Sequence, residues 1–438
     1  MSVDDQAKIE TRCCIAGGGP AGIMLGYLLA RAGIDVVVLE KHADFLRDFR
    51  GDTIHPSTLE VMYELGVLED FLKRPHQEIR EFAGQIGDEM IPLADLTHLP
   101  THCKFLAFMP QWDFLDFIKD EAERYPAFRL IMEAEVTDLI EGGNQIAGVR
   151  ATTPQGEIEI RATLVVGCDG RKSVVRERAG LQIESLGAPI DVLWFRLSRQ
   201  SSDPGQVMGR FATGKILVML NRDSYWQCAF VIRKGALEEI KQRGMEAFRE
   251  DIASIASFLR NRVHELTDWD QIKLLTVLVD RLRKWYRPGL LCIGDAAHAM
   301  SPVGGVGINL AIQDAVATAN LLARPLSQNY VSPSHLQKVQ WRREFPTRVT
   351  QWAQVQIQNR VLSAALTSRQ SIRPPLVLRL FKKFPLLRRI PARLIGIGVR
   401  PEHVRTPDVF KPEAPAPLSP RDPFSLIDLI GLLPWPWI

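Results

Sequence analysis

Residues 11–40 read TRCCIAGGGPAGIMLGYLLARAGIDVVVLE, and this stretch decides the fold. Its apolar runs and its glycine-rich centre predict two buried strands that are joined by a turn and a helix. In order, the segments are a strand, a glycine turn, a helix, a second strand and an acid: Thr11 to Ala16, Gly17 to Gly22, Ile23 to Arg31, Ile34 to Leu39 and Glu40. This order is typical of the first unit of a dinucleotide-binding fold.

The turn has the G-x-G-x-x-G spacing, and its residues have separate tasks. Gly17 permits the tight turn, Gly19 lets the main chain approach a pyrophosphate, and Gly22 lets the helix pack closely on the strand. Unpaired N–H groups at the helix start attract phosphate, and Glu40 suits the hydroxyls of a ribose. The predicted contact residues of this segment are Gly17, Gly19, Pro20, Ala21, Gly22 and Glu40. The motif by itself does not separate FAD from NAD.

A strand followed by a glycine turn recurs twice further along the chain. The apolar run Leu164 to Val166 precedes Gly167-Cys168-Asp169-Gly170, and the run Leu290 to Ile293 precedes Gly294-Asp295. An aspartate at the carboxyl end of a strand can bind the hydroxyls of a polyol such as a ribityl chain. These two segments therefore predict further parts of a nucleotide site.

A glycine-rich loop, Pro302 to Gly307, follows the third segment and leads into a long helix that begins near Ile308 and Asn309. Glycines let the main chain lie against a flat ring. A reduced flavin is anionic around N1 and the C2 carbonyl, so the positive end of the helix dipole would stabilise it. This helix start favours FAD over NAD, although a glycine turn that merely caps a helix is the alternative.

Together, the three segments resemble the para-hydroxybenzoate hydroxylase family of FAD-dependent aromatic monooxygenases, over roughly residues 10–325 with gaps in the middle. Two further landmarks of that family are an arginine beyond the acid and a glutamine that opens a helix. Arg50 and Gln111 match them. The resemblance implies that both residues contact the phosphate and ribityl region of FAD, and that Asp295 holds the ribityl chain.

The same resemblance implies contacts around the flavin ring. The main chain of Ile308 and Asn309 would face the pyrimidine edge of the ring, and Pro302 would lie beside the ring near the substrate. Asp169 would serve both FAD and a pyridine nucleotide. The glycines that the resemblance places at the ring are Gly304, Gly305 and Gly307.

The resemblance also implies the reaction. NADH or NADPH would reduce the flavin as a transient donor, and O2 would then hydroxylate an aromatic or quinol-like small molecule through a flavin C4a-hydroperoxide. The chain has no second G-x-G-x-x-G unit and no Cys-x-x-Cys pair, which argues against a disulfide reductase. Two alternatives remain: a reductase of isoprenoid double bonds, and a non-catalytic FAD-binding protein whose tail recruits a membrane or a partner. The Trp-x-Trp-x-Ile-Pro motif of flavin halogenases is absent.

The predicted fold is α/β, with a discontinuous Rossmann-like FAD-binding domain, an inserted antiparallel β-sheet substrate domain and a helical C-terminal appendage. We assign residues 1–78, 102–180 and 283–365 to the FAD-binding domain. Residues 79–101 and 181–282 form the substrate domain, because strand-like runs recur between residues 192 and 233. Residues 366–438 form the basic and apolar appendage.

Candidates for substrate contact and catalysis are weaker. Alternation along a strand puts Trp194 and Arg196 on one face, where an arginine would suit an anionic or phenolate substrate. A solvent-facing arginine is the commoner case. His55 and His298 are candidate general bases, although either can be a satisfied loop residue. The full set of substrate candidates is Trp194, Arg196, Met208, Arg210 and Tyr225, and the catalytic candidates are Pro302 and His55.

Composition sets the remaining limits. A net charge of +3 argues against nucleic acid as the partner, and the six scattered cysteines predict buried thiols in a reducing cytoplasm, with no metal site. In the appendage, ten Lys and Arg residues stand against one acid, Glu402, between Arg369 and Arg405. Such a segment can dock on the catalytic body, form a homodimer contact or lie on the inner face of an anionic membrane.

Overall fold

The structure is a computed structural model that describes residues 7–46, 53–204, 208–368, 370 and 374–411. The terminal segment Phe424 to Ile438, with its tryptophans, lies outside the described residues, as does Arg50. The strands are β1 Ala7–Ala16, β2 Val36–Leu39, β3 Thr53–Ile54, β4 Gln77–Ile79, β5 Glu81–Ile86, β6 Glu89–Asp95, β7 Leu106–Phe108, β8 Phe128–Ile131, β9 Glu135–Gly142, β10 Gln145–Thr153, β11 Gly156–Gly167, β12 Ile183–Ser185, β13 Ile190–Ser198, β14 Met208–Ala212, β15 Lys215–Asn221, β16 Tyr225–Arg233, β17 Lys273–Leu275, β18 Asp280–Leu282, β19 Tyr286–Arg287, β20 Leu290–Cys292 and β21 His298–Ala299.

The helices divide into long core helices and short connecting ones. They are α1 Pro20–Arg31, α2 Pro56–Glu64, α3 Leu68–Phe71, α4 Gln111–Ala122, α5 Val174–Arg178, α6 Leu237–Arg243, α7 Met245–Ile255, α8 Gly307–Ser327, α9 Pro333–Ile357, α10 Ser363–Thr367, α11 Leu376–Lys383 and α12 Arg389–Gly396. The predicted helices after the first turn and after the Pro302–Gly307 loop are α1 and α8, and Gln111 opens α4 as expected. The short helix α5 follows the second turn.

The first sheet is the predicted dinucleotide-binding sheet. Five parallel strands lie in the order β8-β2-β1-β11-β20, with β19 antiparallel at one edge. Residues 13–16 of β1 are completely buried, as a strand covered on both faces requires. The strands β9 and β10 extend β11 as an antiparallel meander that the apolar pattern did not single out. All three glycine turns leave this sheet at the carboxyl ends of adjacent strands.

A second, seven-stranded sheet has the order β17-β13-β16-β15-β14-β5-β6. It contains the strands from residues 190–275 and also the early hairpin β5–β6. All neighbours are antiparallel except β14 and β5, which run parallel because β5 enters from a distant part of the chain. One face packs against α7 around Phe195 and Phe248, and the other faces the glycine loops.

The helix α8 passes through the centre of the molecule. Together with the loop before it, it is the one helix in the described ranges that is long and apolar enough to cross a membrane, and 83% of its most apolar window is buried inside the protein. Such burial is expected of a core helix. All six cysteines are buried and unpaired, as expected, and burial raises the pKa of Cys14 to about 12.

The described part of the C-terminal appendage docks on the catalytic body. Helices α11 and α12 lie against β6. Residues 400–411 then form a strap that contacts the C-terminal end of α1 and the turn after α4. Along this strap, Thr406 accepts a hydrogen bond from Arg31, and Asp408 accepts one from Tyr125 at 2.9 Å. Val409 donates its N–H to the carbonyl of Arg31 at 3.0 Å.

Candidate functional site

The first glycine turn is closed by contacts that leave no room for a side chain at two positions. Gly17 has a φ of +104°, and a Cβ there would lie 2.4 Å from the Cys168 carbonyl oxygen. A Cβ on Gly22 would lie 1.9 Å from the oxygen of Gly17. Gly19 differs, because a Cβ there would meet no atom of the chain within 4 Å. The turn is therefore tight on its protein side and open where a pyrophosphate would approach.

Glu40 is fixed at the end of β2 by two main-chain donors. Its Oε2 accepts the N–H of Gly18 at 2.9 Å, and its Oε1 accepts the N–H of His42 at 3.1 Å. The carboxylate thus lies beside the glycine turn, where the sequence places a ribose.

The three segments converge on one place. The N–H of Cys168 donates to the Ala16 carbonyl at 2.7 Å, which joins the ends of β11 and β1. Gly294 lies against Ala21 of the first turn. A Cβ added at Gly294 would lie only 3.2 Å from the Cβ of Ala21. The adjacent Asp295 accepts a hydrogen bond from Arg171 at 3.2 Å, and its side chain remains partly open to solvent.

Asp169 is a half-buried acid at the second turn, and its Oδ1 is inaccessible to solvent. Its Oδ2 accepts the N–H of Val175 at 3.1 Å, whereas its Oδ1 has no hydrogen-bond partner among the described residues. Burial raises the pKa of Asp169, and the hydrogen bonds from the start of α5 offset this only in part. A donor from a bound ligand would relieve that cost.

The loop that would face the flavin ring is held from outside. In the loop, Gly304 and Gly305 have φ of +81° and +64°. The carbonyl of Gly305 accepts the hydroxyl of Thr53 at 2.9 Å, and a ring nitrogen of His55 lies 3.0 Å away. Pro302 begins the turn, and its carbonyl accepts the N–H of Gly305 at 3.0 Å. Pro302 therefore contributes to the shape of this loop.

His55 is completely buried between two carbonyl groups. Its Nε2 faces Gly305 and its Nδ1 lies 2.6 Å from the carbonyl oxygen of Ile395 in α12. Burial lowers the pKa of His55, and the two carbonyls offset that effect only in part. Both nitrogens face main-chain carbonyls, and the neutral ring, with one N–H, can donate to one of the two. The ring therefore lies between the loop and the C-terminal helix, and neither nitrogen is open to a substrate.

His298 is also engaged in the interior. Its Nε2 lies 2.6 Å from Oδ2 of Asp314, which also accepts the N–H of Gly294 at 3.0 Å. Arg343 donates to the other oxygen of Asp314 at 2.9 Å and pairs with Glu402 at 3.3 Å. Burial alone would raise the pKa of Asp314, but the pairs with His298 and Arg343 outweigh it and hold this pKa below its ordinary value. This network fixes the turn that carries Asp295.

A row of glutamines on α9 supports the same region, and the sequence analysis did not identify it. Gln354 donates to the carbonyls of Ser301 and Val303, both at 2.9 Å, and Gln351 donates to those of Asp280 and Ala299. The signal was available, because glutamines recur on one side of the helix at positions 340, 351, 354 and 358. A row of polar residues at helical spacing is typical of a solvent-exposed helix face, and the sequence does not show which other segment of the chain would cover it.

The start of α8 is anchored through a side chain. The Oδ1 of Asn309 accepts the hydroxyls of Ser57 and Thr58 at 2.8 and 2.7 Å, which leaves its main chain for other contacts. A Cβ on Gly307 would meet nothing within 4 Å. The open space at Gly19 and Gly307 and the acids Glu40 and Asp295 fit an extended dinucleotide. Gln111 lies at the start of α4, which packs on α1.

The face of the second sheet that looks toward the glycine loops is apolar. Trp194 and Val218 lie where two clusters meet, one containing Ile395 of α12 and the other containing Val303 of the loop. We call this surface the Trp194 face. Arg196 lies further along the same face, exposed, with its guanidinium 5.0 Å from the ring centre of Tyr225.

Arg210 lies on the opposite face of the sheet. It pairs in register with Leu217, donates to the Ile255 carbonyl at 3.3 Å and covers the ring of Phe258. It therefore cannot line the same surface as Trp194, and the reason is the register between strands, which alternation within one strand does not reveal. Met208 begins β14.

Three comparisons bear on this arrangement. Residues 10–353 match the family model described as FAD binding domain. The 6-methylpretetramide 4-monooxygenase of Streptomyces rimosus is 30% identical over 409 residues, which cover 93% of this chain and 97% of that protein. The dialkyldecalin synthase of Streptomyces rugosporus is 29% identical over 332 residues, with 74% and 67% covered. The solved anhydrotetracycline hydroxylase of Streptomyces rimosus superposes with a TM-score of 0.69 at 22% identity, over 89% of this chain and 76% of that one, which shows a shared fold.

Proposed function

The chain belongs to the family of FAD-dependent aromatic monooxygenases, and from this premise we propose that it hydroxylates an aromatic small molecule with NAD(P)H and O2. The observation that carries the proposal is the convergence of three distant segments beside an apolar sheet face. The turns end adjacent strands of one sheet, which is where nucleotides bind in such folds. A flat ring that extends from these turns would reach the Trp194 face.

We assign the adenosine and pyrophosphate half of FAD to the first turn, Gly17, Gly19, Pro20, Ala21 and Gly22, with Glu40 on the ribose. Asp169 and Asp295 would bind the middle of the cofactor, with Gln111 and Arg50 beside them. Pro302, Gly305, Gly307 and the main chain of Ile308 and Asn309 would flank the ring. We further propose that residues 1–78, 102–180 and 283–365 act as the FAD-binding unit, while 79–101 and 181–282 cover the ring.

Bound FAD would supply the redox chemistry, taking a hydride from NAD(P)H and activating O2 as a flavin C4a-hydroperoxide. The overall balance consumes NAD(P)H, a proton and O2, and yields NAD(P)+, water and the hydroxylated product. The protein's contributions are orientation, exclusion of water and the positive end of α8. The partly buried Trp194 and Val218 support exclusion of water, because their neighbours in the two clusters are apolar.

The pyridine nucleotide would bind transiently. Arg176 follows the second turn, is buried and donates to the carbonyls of Ala296 and Arg171 at 3.1 and 2.6 Å. This engagement supports a structural role for Arg176. We therefore leave the choice between NADH and NADPH to measurement.

We propose a polycyclic phenol of the polyketide type as the substrate class. The support is the S. rimosus relative, whose name gives 6-methylpretetramide as its substrate and which matches along almost its whole length. An extended apolar face around Trp194 and Val218 is compatible with fused rings.

The test is NAD(P)H oxidation by the holoprotein with a panel of phenols, aromatic acids, quinones and fused polycyclic phenols, under ¹⁸O2. We expect polycyclic phenols to stimulate NAD(P)H oxidation most and to acquire one ¹⁸O atom per NAD(P)H consumed. Simple phenols serve as the matched comparison, and equal stimulation by them would remove the polycyclic assignment alone.

Three other outcomes would overturn the monooxygenase proposal. Product that forms without O2 would indicate a reductase of double bonds. Conversion of a substrate without NAD(P)H would indicate a synthase, the activity that the name of the S. rugosporus relative states for that protein. Bound yellow cofactor without turnover in any assay would indicate a non-catalytic flavoprotein.

A further inference from the structure

The outer surface of the C-terminal cover, residues 376–394, combines exposed apolar side chains with cations. The segment from Pro374 to Arg400 contains no Asp or Glu. Its exposed large apolar residues are Leu380, Phe384, Leu386, Ile390 and Leu394. Its Lys and Arg residues through α12 are Arg379, Lys382, Lys383, Arg388, Arg389 and Arg393.

Helix α12 shows how the two residue types are arranged. Ile390 and Leu394 are one turn apart and form an exposed apolar row, with 61% and 47% of their surfaces accessible. Arg389 and Arg393, also one turn apart, form a cationic row directly beside it, and both are exposed. The opposite side of the helix is packed: a Cβ on Gly396 would lie 2.6 Å from Leu99. The outward side is therefore a surface feature of a well-anchored helix.

We propose that this outer surface of α11 and α12 docks on an anionic lipid bilayer. Charge complementarity selects the partner, since a stretch of 27 residues without an acid attracts anionic headgroups. The apolar row selects a bilayer over a soluble polyanion, because Ile390 and Leu394 gain from burial at the boundary between headgroups and acyl chains. The helices α11 and α12 would lie parallel to the membrane plane, with their Lys and Arg side chains at the level of the headgroups.

The proposed geometry has a consequence for the site. The inner side of α12 carries Ile395, whose carbonyl contacts His55, and Ala392, which packs in the cluster of the Trp194 face. A bilayer on the outer side would thus lie one helix away from that face. This inference goes beyond the proposed reaction and does not depend on it.

The test is flotation of the full-length holoprotein with vesicles of phosphatidylcholine, with or without about 30% phosphatidylglycerol. We expect binding to the anionic vesicles and about ten-fold less to the neutral ones. The double variant Ile390→Ser/Leu394→Ser should reduce binding to anionic vesicles about ten-fold. The matched control is Trp341→Ser/Phe345→Ser, an apolar pair on α9 with 65% and 51% exposure, which should bind like the wild type. Flavin absorbance checks that each variant is folded.

Several results would overturn the proposal. One is a wild-type protein that does not float with anionic vesicles. Another is equal loss of binding in the α12 and α9 pairs. Loss of flotation in Trp435→Ser/Trp437→Ser, with retention in the α12 variant, would transfer membrane binding to the C-terminal tail. A dimer that the α12 variant converts to monomer, without vesicle binding by the wild type, would make this surface a contact between two copies.

Discussion

The two ends of the candidate FAD site are built in different ways. The first turn, at Gly17 to Gly22, is closed by its own strand–helix–strand unit and by the neighbouring end of β11. Gly17 donates its N–H to the Leu39 carbonyl at 2.8 Å, and Gly18 donates to Glu40 at 2.9 Å. Each partner lies within about one βαβ unit of the turn. The hydrogen bonds within this turn are therefore local, and the end of β11 at Cys168 is its distant neighbour.

The ring-side loop, Pro302 to Gly307, is held by residues from distant parts of the chain. Thr53 and His55 bind the Gly305 carbonyl from 252 and 250 residues away. Gln354 of α9 donates to the carbonyl of Ser301 before the loop and to that of Val303 within it. Glu402 of the strap pairs with Arg343, which also binds Asp314 in the network behind Asp295. The phosphate end is thus mainly a local motif, whereas the ring end forms only when distant segments of the chain have packed together.

The largest expected loss of stability comes from adding a side chain to the glycine turn at the phosphate end. Gly22→Ala places a Cβ 1.9 Å from the Gly17 oxygen, so α1 must move away from β1. We expect a loss of about 4 kcal/mol in the free energy of unfolding, with little FAD retained. Urea unfolding and flavin content measure it. Gly84→Ala, whose Cβ would have ordinary contacts of 3.4 Å or more, is the control. Equal stability of the two variants would show that the turn is not tight.

The next largest loss of stability concerns the buried network that supports the ring end of the site. Arg343→Met removes the arginine partner of the buried Asp314 and one of the two arginines that pair with Glu402, and we expect a loss of about 3 kcal/mol because the buried Asp314 is left without an arginine. Arg342→Met is the matched control, since Arg342 pairs with the same Glu402 but is partly exposed, and we expect less than about 1 kcal/mol. Similar losses in both variants would contradict a special role for the buried network.

A smaller effect depends on pH and tests the link between the loop and α12. Burial lowers the pKa of His55, so below about pH 6.5 the unfolded chain binds a proton that the folded chain resists. Stability should therefore fall as the pH falls through this range, by at most about 1.4 kcal/mol per pH unit, and be fully present above it. His55→Gln should remove that dependence. Urea unfolding between about pH 5 and pH 8 measures it, and parallel curves for the two proteins would refute the assignment.

The smallest effect on stability is also the sharpest test of the cofactor assignment. Gly19→Ser adds a side chain where no atom of the chain lies within 4 Å, at the position before α1 where serine is a favourable cap. We expect the stability of the apoprotein to change by less than about 0.5 kcal/mol, while FAD affinity falls about ten-fold. Flavin fluorescence titration gives the affinity. Unchanged FAD binding would place the pyrophosphate elsewhere.

Much of the fold could be predicted from residues alone. The three glycine turns and the strands β13, β15 and β16 of the second sheet are where the patterns indicated, and the three strands that precede the turns are adjacent in one parallel sheet. The short strands β14 and β17 were not predicted. Short apolar runs between glycines leave few alternatives, since each must be buried as a strand. The early hairpin at residues 81–95 also joins the second sheet, in the parallel register with β14 that no local pattern specifies.

The roles of individual polar residues could not be predicted in the same way. His55 and His298 read as candidate bases, yet each is occupied by partners from other segments: Ile395 and Gly305 for the first, Asp314 for the second. Arg210 read as a lining residue, and the register of β14 with β15 turned it to the other face. The accessibility of these side chains depends on partners in other elements, which for His55 lie 250 and 340 residues away.

The sequence by itself therefore determined the dinucleotide fold and the phosphate turn, because glycine spacing, strand burial and helix starts are properties of short segments. The tertiary structure alone decided what surrounds the ring, since the loop at Gly305 is completed by Thr53, His55 and the glutamines of α9. It also decided that residues 374–411 dock on the body, through contacts such as Tyr125 with Asp408. These contacts form only when the hydrophobic faces of both sheets have been buried. Burial is cooperative and fixes the register of the strands, and the contacts depend on that register.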